Sequence, residues 1–384
     1  MSTTDTAAAP TAPPPPADSP LRAAQEAAGA VWTEVAGRRV ARHYGDQEAE
    51  YYAVNDAVGV AERGDRARIR MWGKDPARML HGLVTNDMLN ARPEQGVYAA
   101  MLTPKGRAIA ELRAFRRQRP DGPEVLVELP REALAGTVDH FRKFIPPMFA
   151  RWADASAAVG ELGAYGPKAR KLVAYLFGIE PPLAEDVMVE AEFAGAPVLV
   201  VSTRYVGLVD GFDLFAPVEA LGPLWEAMLE GGARPVGLGA IETLRIEAAR
   251  PRYGAELTEE VIPMETFQDS GELSRVINFS KGCYTGQEVI IRIAHRGHVN
   301  RHLRGFLLGD APTPAAGAPI FNPENGKEVG RVTSATYSPL LKQTIALGYL
   351  RREVEPGATV HVGGAKGDPA YVVKPPPWAR ITIE

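Results

Sequence analysis

A single cysteine lies in an octapeptide that combines tight backbone geometry with four kinds of polar side chain. The segment Lys281–Glu288 places Cys283 between two glycines, beside an ammonium, a phenol, an amide and a carboxylate. Glycine adopts backbone conformations that other residues avoid, so the segment is predicted to form a compact polar loop with one thiol. The apolar run Val289–Ile293 follows directly and predicts a strand after the loop.

Length and composition restrict the class of protein. A chain of 384 residues is too long for one ordinary core, so two or three domains are expected. A hydrophobic content of 45% and a charged content of 23% are typical of a soluble globular protein, and the net charge of −4 gives no reason to expect non-specific nucleic-acid binding. One cysteine fits a reducing compartment, and no apolar run approaches the roughly 18 residues of a membrane span. We therefore expect a cytoplasmic protein without membrane contact.

The spacing of Gly and Pro predicts three regions. Residues 1–20 are rich in Ala and Pro and predict a disordered tail. Residues 21–300 interleave strand and helix patterns, which predicts an α+β region. Residues 301–384 contain short strand patterns separated by Gly and Pro, which predicts a small β-barrel domain.

Several elements can be placed by periodicity. Arg66, Arg68 and Arg70 alternate with three apolar residues, which predicts a half-buried strand at 66–72. Further strands are predicted at 97–102, 108–115, 124–129 and 198–202. Helices are predicted at about 20–28, 75–83, 131–144, 168–177, 219–229 and 239–249.

The octapeptide resembles that of the YgfZ-type folate-binding proteins, which are relatives of the glycine-cleavage T-protein, an aminomethyltransferase. Four further stretches are similar to T-protein segments: Val84–Asp87, Tyr205–Asp213, Gly237–Ala248 and the barrel segments within 330–349. The resemblance covers about 50–384. It implies an α+β fold of two interleaved α/β subdomains and a C-terminal β-barrel, arranged around a central folate-binding cavity.

Three positions depart from the T-protein pattern. The catalytic aspartate of that family corresponds to Ala110 in one register and to Glu111 in the neighbouring register. The acid expected at the pterin is replaced by Val209, and the arginine of the helix beginning near 238 is replaced by Ile241. Aminomethyl transfer needs an acid or base beside the reacting nitrogen, so these departures argue against that activity.

The resemblance implies tetrahydrofolate, or another reduced folate, as the ligand. Cys283 and Glu111 are the candidates for catalysis, the first as a thiol and the second as an acid or base. From the residues alone, Cys283 is either a thiol that Lys281 activates or a small buried side chain. The folate-binding candidates are Asn86, Tyr98, Asp210, Arg245, Glu247, Lys281, Tyr284, Gln287, Glu288 and Arg292.

Most of these candidates also have structural interpretations. Asn86 and Asp210 suit turns as well as ligands. Arg245 and Glu247 lie two apart on a predicted helix and cannot share one face, so one is expected in the cavity and the other in an ion pair. Gln287 and Glu288 either meet the pterin or cap the loop and pair with Arg292.

A dense cationic cluster follows the octapeptide: His295, Arg296, His298, Arg301 and His302. A helix would give the histidines metal-binding spacing, but Gly297 and the β-branched run argue against a helix, so no metal site is predicted. The cluster is expected to be a solvated surface or to attract an anion, such as the glutamate tail of folate or an RNA phosphate.

Three functions are compatible with these features. The first is a YgfZ-like folate-binding accessory protein that supports assembly or repair of iron–sulfur clusters in client proteins. The second is a folate-dependent aminomethyltransferase, methyltransferase or demethylase that uses Glu111. The third is a module that binds tRNA or protein through the cationic residues between Arg292 and Arg304.

Overall fold

A computed structural model describes residues 18–204, 206 and 209–375. Residues 1–17 of the predicted tail and residues 376–384 lie outside the described residues, as do Tyr205, Gly207 and Leu208 of the T-protein-like stretch. None of the described helices is long and apolar enough to cross a membrane.

The strands that precede the octapeptide are β1 Val31–Val35, β2 Arg38–His43, β3 Gly59–Glu62, β4 Arg66–Trp72, β5 Val97–Leu102, β6 Ala108–Arg119, β7 Gly122–Pro130, β8 Arg151–Asp154, β9 Val159–Tyr165, β10 Met188–Phe193, β11 Ala196–Thr203, β12 Gly211–Pro217 and β13 Arg234–Pro235. Those that follow it are β14 Arg301–Gly309, β15 Pro319–Phe321, β16 Glu328–Ser338, β17 Gln343–Arg351, β18 Thr359–Val362 and β19 Asp368–Val373.

The helices are α1 Arg22–Ala27, α2 Gln47–Asp56, α3 Pro76–His81, α4 Leu134–Phe144, α5 Ala169–Phe177, α6 Leu221–Glu230, α7 Leu238–Glu247, α8 Pro263–Phe267, α9 Leu273–Val276 and α10 Gln287–Arg296. Short 3-10 turns at Arg131–Ala133 and Val218–Ala220 lead into α4 and α6. The predicted helices are confirmed, with ends that differ by a few residues.

Two sheets form the region before the barrel. The first has the order β5-β6-β7-β4-β8, and the second has the order β10-β11-β12-β9-β3-β13. The two α/β subdomains of the predicted fold are confirmed. The chain enters the second sheet with β3, forms the first sheet with β4 to β8, and returns to the second sheet with β9. Helices α3 and α4 cover the outer face of the first sheet, and α5 and α6 cover that of the second.

The inner faces of the two sheets pack against each other. Phe115 and Leu126 of the first sheet share an apolar cluster with Leu199, Val201 and Phe215 of the second. The rings of Phe115 and Phe215 lie 5.6 Å apart. This contact fixes one end of the interface between the sheets.

The prediction of a half-buried strand at 66–72 is wrong on one point. The strand is β4, but Arg66 and Arg68 are buried together with the apolar residues between them. The second sheet covers the arginine face, and Arg68 donates from Nε to the carbonyl of Val159 at 2.9 Å. The arginines therefore lie in the interior.

The C-terminal barrel is confirmed. Its strands close in the order β14-β17-β16-β15-β18-β19. Phe306, Ile320 and Val372 are among the apolar side chains that fill its core. Helix α7 packs on β16, where Arg245 donates to the Ser334 hydroxyl at 2.6 Å.

The prediction of a strand at Val289–Ile293 is wrong, because these residues belong to α10. Val289, Ile290 and Ile293 recur at helical spacing on one face. Ile290 is buried in the core of the first sheet, and Val289 lies against Gly106 in the turn between β5 and β6. Tertiary packing of this amphipathic face overrides the β preference of the branched side chains.

Gly166 provides a test of the junction between β9, α2 and α5. Its φ is +126°, and an added Cβ would lie 2.5 Å from the Val54 carbonyl oxygen and 2.6 Å from that of Ala57. We expect Gly166→Ala to lower the free energy of unfolding by roughly 3–5 kcal/mol in urea titrations. Gly195, with φ +82° and no atom within 4 Å, is the control, and Gly195→Ala should cost only about 1–2 kcal/mol. Equal costs for the two variants would contradict the packing described.

Candidate functional site

An open cleft of about 440 Å³ lies where the first sheet, the segment 185–186 and α9 meet. Tyr98 of β5 and Arg275 of α9 line it, together with Asn86 from the loop after α3. A smaller cavity of about 20 Å³, enough for roughly one water molecule, continues inward and shares Tyr98, Glu185 and Arg275 with the cleft. The cleft is thus the outer mouth of the space between the two sheets.

The loop Val84–Asp87 holds the wall of the cleft together. The Thr85 hydroxyl donates to the Val276 carbonyl at 2.7 Å, and the Asn86 amide donates to the carbonyls of Arg275 at 2.7 Å and Tyr98 at 2.9 Å. Asn86 therefore lies in the predicted site, and its amide positions Arg275 and Tyr98 there.

Arg275 is the centre of the charged groups in the cleft. Its guanidinium lies 2.7 Å from Asp186, 3.1 Å from Glu185 and 3.2 Å from Glu272, and its Cζ lies 4.5 Å from the centre of the Tyr98 ring. Burial alone would lower the pKa of Arg275, but the carboxylates outweigh it and raise that pKa above the ordinary value. The cleft thus combines a flat aromatic ring with a fixed cation and several acceptors.

A layer of ion pairs extends inward from the cleft. Arg113 of β6 donates from Nε to Glu128 of β7 at 2.8 Å, and its Nη2 lies 2.7 Å from Asp213 of β12. Arg66 pairs with Glu128 as well. Burial alone would raise the pKa of Glu128, but Arg113 and Arg66 hold it well below the ordinary value. Because Asp213 belongs to the second sheet, the Arg113 guanidinium joins the two sheets.

Glu111 lies in this interior layer beside Arg66. The residue is 1% exposed, its Oε1 lies 3.5 Å from Arg66 Nη1, and its Oε2 has no hydrogen-bond partner among the described residues. Burial raises the pKa of Glu111 to about 7, although Arg66 and Arg252 oppose the shift. Such a carboxyl suits acid–base chemistry near neutrality. Glu111 does not line the cleft, however, and Ala110 lies in the apolar core on the opposite face of β6.

Cys283 is exposed on the loop before α10. This observation selects the open thiol over the buried side chain that the sequence also allowed. The loop packs behind the cleft, where the Thr285 amide donates to the Gly82 carbonyl at 3.2 Å and the Asn278 amide donates to the Thr85 carbonyl at 3.0 Å. Cys283 itself is not among the residues that line the cleft.

Lys281 holds the loop in place. Its Nζ donates to the carbonyls of His81, Val84 and Asn86 at 2.5, 2.6 and 3.1 Å. Burial lowers the pKa of Lys281 to about 8. The ammonium therefore bonds to three backbone acceptors on the loop after α3 and at the end of that helix. The same ammonium lies 4.9 Å from the centre of the ring of Tyr284, which is buried.

The other predicted folate-binding residues lie outside the cleft. Gln287, Glu288 and Arg292 are on α10, where Glu288 and Arg292 are exposed and pair with each other at 3.1 Å. Asp210 is exposed near Arg204, at 3.7 Å.

One of Arg245 and Glu247 was expected in the cavity and the other in an ion pair; neither lines the cleft, and both are buried against the barrel. The Glu247 carboxylate accepts from Ser338 at 2.5 Å and from Tyr51 at 2.8 Å. Arg245 pairs with Glu256 at 2.8 Å and also borders a separate cavity of about 630 Å³ between α7 and β16. Because α7 is enclosed by α2 on one side and the barrel on another, both of its faces are covered.

Acidic side chains neutralise part of the cationic region after the octapeptide. Arg301 pairs with Glu265 at 3.1 Å, and the neighbouring Arg304 pairs with Asp269 at 2.6 Å. Nδ1 of His302 lies 3.0 Å from the same Asp269 carboxylate, and burial and Arg304 lower the pKa of this histidine. His295 lies at the end of α10, which corrects the predicted absence of a helix there. The described residues contain no group of three His, Cys, Asp or Glu side chains that would hold a metal ion.

Three groups that define the cleft were missed by the sequence analysis: Glu185, Asp186 and Arg275. The first two lie between a helix and a strand, and the third lies on a helix of four residues, Leu273–Val276. Adjacent acids in a loop were the available indication, but they are common on protein surfaces and do not by themselves predict a site.

Comparisons with known proteins agree with this architecture. The family model described as GCVT N-terminal domain matches residues 21–281, and the model described as glycine cleavage T-protein C-terminal barrel domain matches residues 301–378. The chain is similar to the aminomethyltransferase of Rubrobacter xylanophilus, with 30% identity over 363 residues that cover 94% of each chain. It is also similar to that of Moorella thermoacetica, with 30% identity over 373 residues, or 94% of this chain and 98% of the relative.

A solved structure extends the likeness to three dimensions. The aminomethyltransferase T of the glycine cleavage system from Bartonella henselae superposes with a TM-score of 0.83, covers 94% of this chain and 97% of its own, and is 21% identical in sequence. That structure supports the same fold. Together with the matches along both parts of the sequence, it leads to one conclusion: the chain belongs to the glycine cleavage T-protein family.

Proposed function

We propose that this protein binds tetrahydrofolate in the cleft between the first sheet, segment 185–186 and α9. The observation that carries the proposal is a cavity of about 440 Å³ that places the Tyr98 ring beside the Arg275 guanidinium and its carboxylates. Ligand pockets commonly have about 300–1,000 Å³ and combine aromatic walls with a few convergent polar groups. Tetrahydrofolate has a planar pyrimidine ring with donors and acceptors along one edge, which suits such walls. Membership of the family supports the same ligand.

The lead proposal for the protein's role is a YgfZ-type accessory factor in the assembly or repair of iron–sulfur clusters. Val209 and Ile241, which replace an acid and an arginine of the T-protein pattern, lie in one apolar cluster with Tyr165. Neither can supply charge to a reacting amine. The exposed Cys283 presents a thiol that a client protein can reach. These features support folate binding without aminomethyl transfer.

Aminomethyl transfer is the second candidate, and the names of the relatives favour it more directly than the accessory role. The Glu111 side chain also supports aminomethyl transfer. Its carboxyl has a pKa raised by burial to about 7 and one oxygen without a hydrogen-bond partner among the described residues. A transfer reaction would require ligand or side-chain movement that brings the folate to this carboxyl, because Glu111 does not line the cleft.

Replacing the aromatic wall tests the folate site. Calorimetric titration with tetrahydrofolate should give binding by the wild-type protein and at least about tenfold weaker binding by Tyr98→Ala, because the ring supplies flat contact area. Tyr175→Ala, which removes a tyrosine that is 80% exposed on α5, is the control and should bind like the wild type. Equal affinities for all three proteins would place the ligand elsewhere, and no binding by the wild type would contradict the folate proposal.

A turnover assay separates the two candidate roles. With tetrahydrofolate and an aminomethylated donor, the accessory role predicts no product above the uncatalysed rate for the wild type or for Glu111→Gln. Aminomethyl transfer instead predicts wild-type turnover that Glu111→Gln lowers by roughly 100-fold or more, because a positioned acid or base contributes about that much. Wild-type turnover at rates typical of enzymes would reject the lead proposal.

The shifted pKa of Glu111 also predicts a pH dependence of stability. The folded carboxyl holds its proton up to about pH 7, whereas the unfolded group releases it near 4.5, so stability from this group falls as pH rises through that window. Glu111→Gln cannot ionise. Urea unfolding should therefore show the variant gaining stability relative to the wild type between about pH 5 and pH 7.5.

Glu230→Gln, at the exposed end of α6, is the control for this series. Its stability relative to the wild type should change much less over the same range. A Glu111→Gln difference that does not vary with pH would contradict the burial that raises this pKa.

A further inference from the structure

Asp186 lies where the two sheets meet. Its amide donates to the Ser202 carbonyl of β11 at 2.9 Å, and its own carbonyl accepts from the Gly96 amide, just before β5, at 2.8 Å. Its φ is +61°, a left-handed conformation that Asp adopts more readily than most residues. The backbone bonds on both sides fix this conformation and hold the carboxylate at the edge of the cleft.

The Asp186 carboxylate has an unused acceptor. The residue is 4% exposed and lines the cleft, and its Oδ2 accepts from Arg275 Nη2 at 2.7 Å. Its Oδ1 has no hydrogen-bond partner among the described residues. A buried acceptor without a partner destabilises the protein, and more so when it is charged, so a ligand that donates to it relieves that cost.

The neighbouring acids are already engaged. Asp87 accepts from the amides of Leu89 and Asn90 at 2.9 and 3.0 Å. Glu185 lies between Arg275, at 3.1 Å, and Arg250, at 3.3 Å. Three carboxylates and one guanidinium, that of Arg275, line the described part of the cleft. This excess of acid favours N–H donors over the carboxylates of a folate tail.

We propose that Asp186 recognises the donor edge of the pterin ring, with Oδ1 accepting a hydrogen bond from the exocyclic 2-amino group. The inference rests on the proposed folate function and adds a binding residue to it. Arg275 fixes the orientation of the carboxylate, and Asn86 fixes Arg275 in turn through its backbone carbonyl, at 2.7 Å. The site therefore prefers 2-amino-4-oxo pterins to ring systems that lack the amine.

A paired change of protein and ligand tests this contact. Calorimetry would compare tetrahydrofolate with its 2-desamino-2-methyl analogue on wild type, Asp186→Asn and Glu272→Gln. We expect Asp186→Asn to weaken tetrahydrofolate binding at least about tenfold and Glu272→Gln to weaken it less than about threefold. Glu272 pairs with Arg275 at 3.2 Å but does not line the cleft, so Glu272→Gln controls for the altered electrostatics around Arg275.

The analogue should bind the wild type at least about tenfold more weakly than tetrahydrofolate, yet bind Asp186→Asn and the wild type about equally. If the substitution at Asp186 and the removal of the amine weaken binding by factors that simply multiply, the proposed contact does not exist. The contact is also overturned if Asp186→Asn binds tetrahydrofolate as tightly as the wild type does. In both cases the folate function would stand. No wild-type binding would reject both proposals. If Asp186→Asn fails to fold, as judged by its melting temperature, a wild type that does not discriminate between the ligands still overturns the inference.

Discussion

The ion pairs of Arg113 join the two sheets, and the position of the cleft depends on them. One guanidinium contacts Glu128 in the first sheet and Asp213 in the second. Taking these charges out of water is costly, and removing one partner of a buried pair typically costs about 3–5 kcal/mol. The layer therefore fixes the approach of the sheets beside the Phe115–Phe215 contact, where Cζ of Arg113 lies 5.8 Å from the centre of the Phe115 ring.

The cleft continues this layer to the surface. Arg275 repeats, with Asp186 and Glu185, the arrangement of one cation among several carboxylates that is found in the interior. The helix that carries Arg275 is short, but Asn86 and Thr85 fix its backbone from a loop nearly 190 residues earlier in the chain. The same loop accepts hydrogen bonds from the Lys281 ammonium, so it supports both the octapeptide and the wall of the cleft.

Local periodicity predicted most of the fold, because strand alternation, helical spacing and the positions of Gly and Pro act over a few residues. The strand at 289–293 was predicted wrongly, since its β-branched composition and its helical spacing conflict and only packing against Gly106 and the first core decides between them. The burial of Arg66 and Arg68 depends on a second sheet that the local pattern does not reveal. Asp186 and the acceptors of Lys281 were missed for the same reason, because their partners are distant in sequence.

The most direct test of the folate site is a crystal structure of the full chain with bound 5-formyl-tetrahydrofolate. We expect a pterin ring in the cleft beside Tyr98, with its amino edge within hydrogen-bond distance of Asp186 Oδ1. A ligand in the cavity of about 630 Å³ beside Arg245, or on the surface of α10, would contradict it.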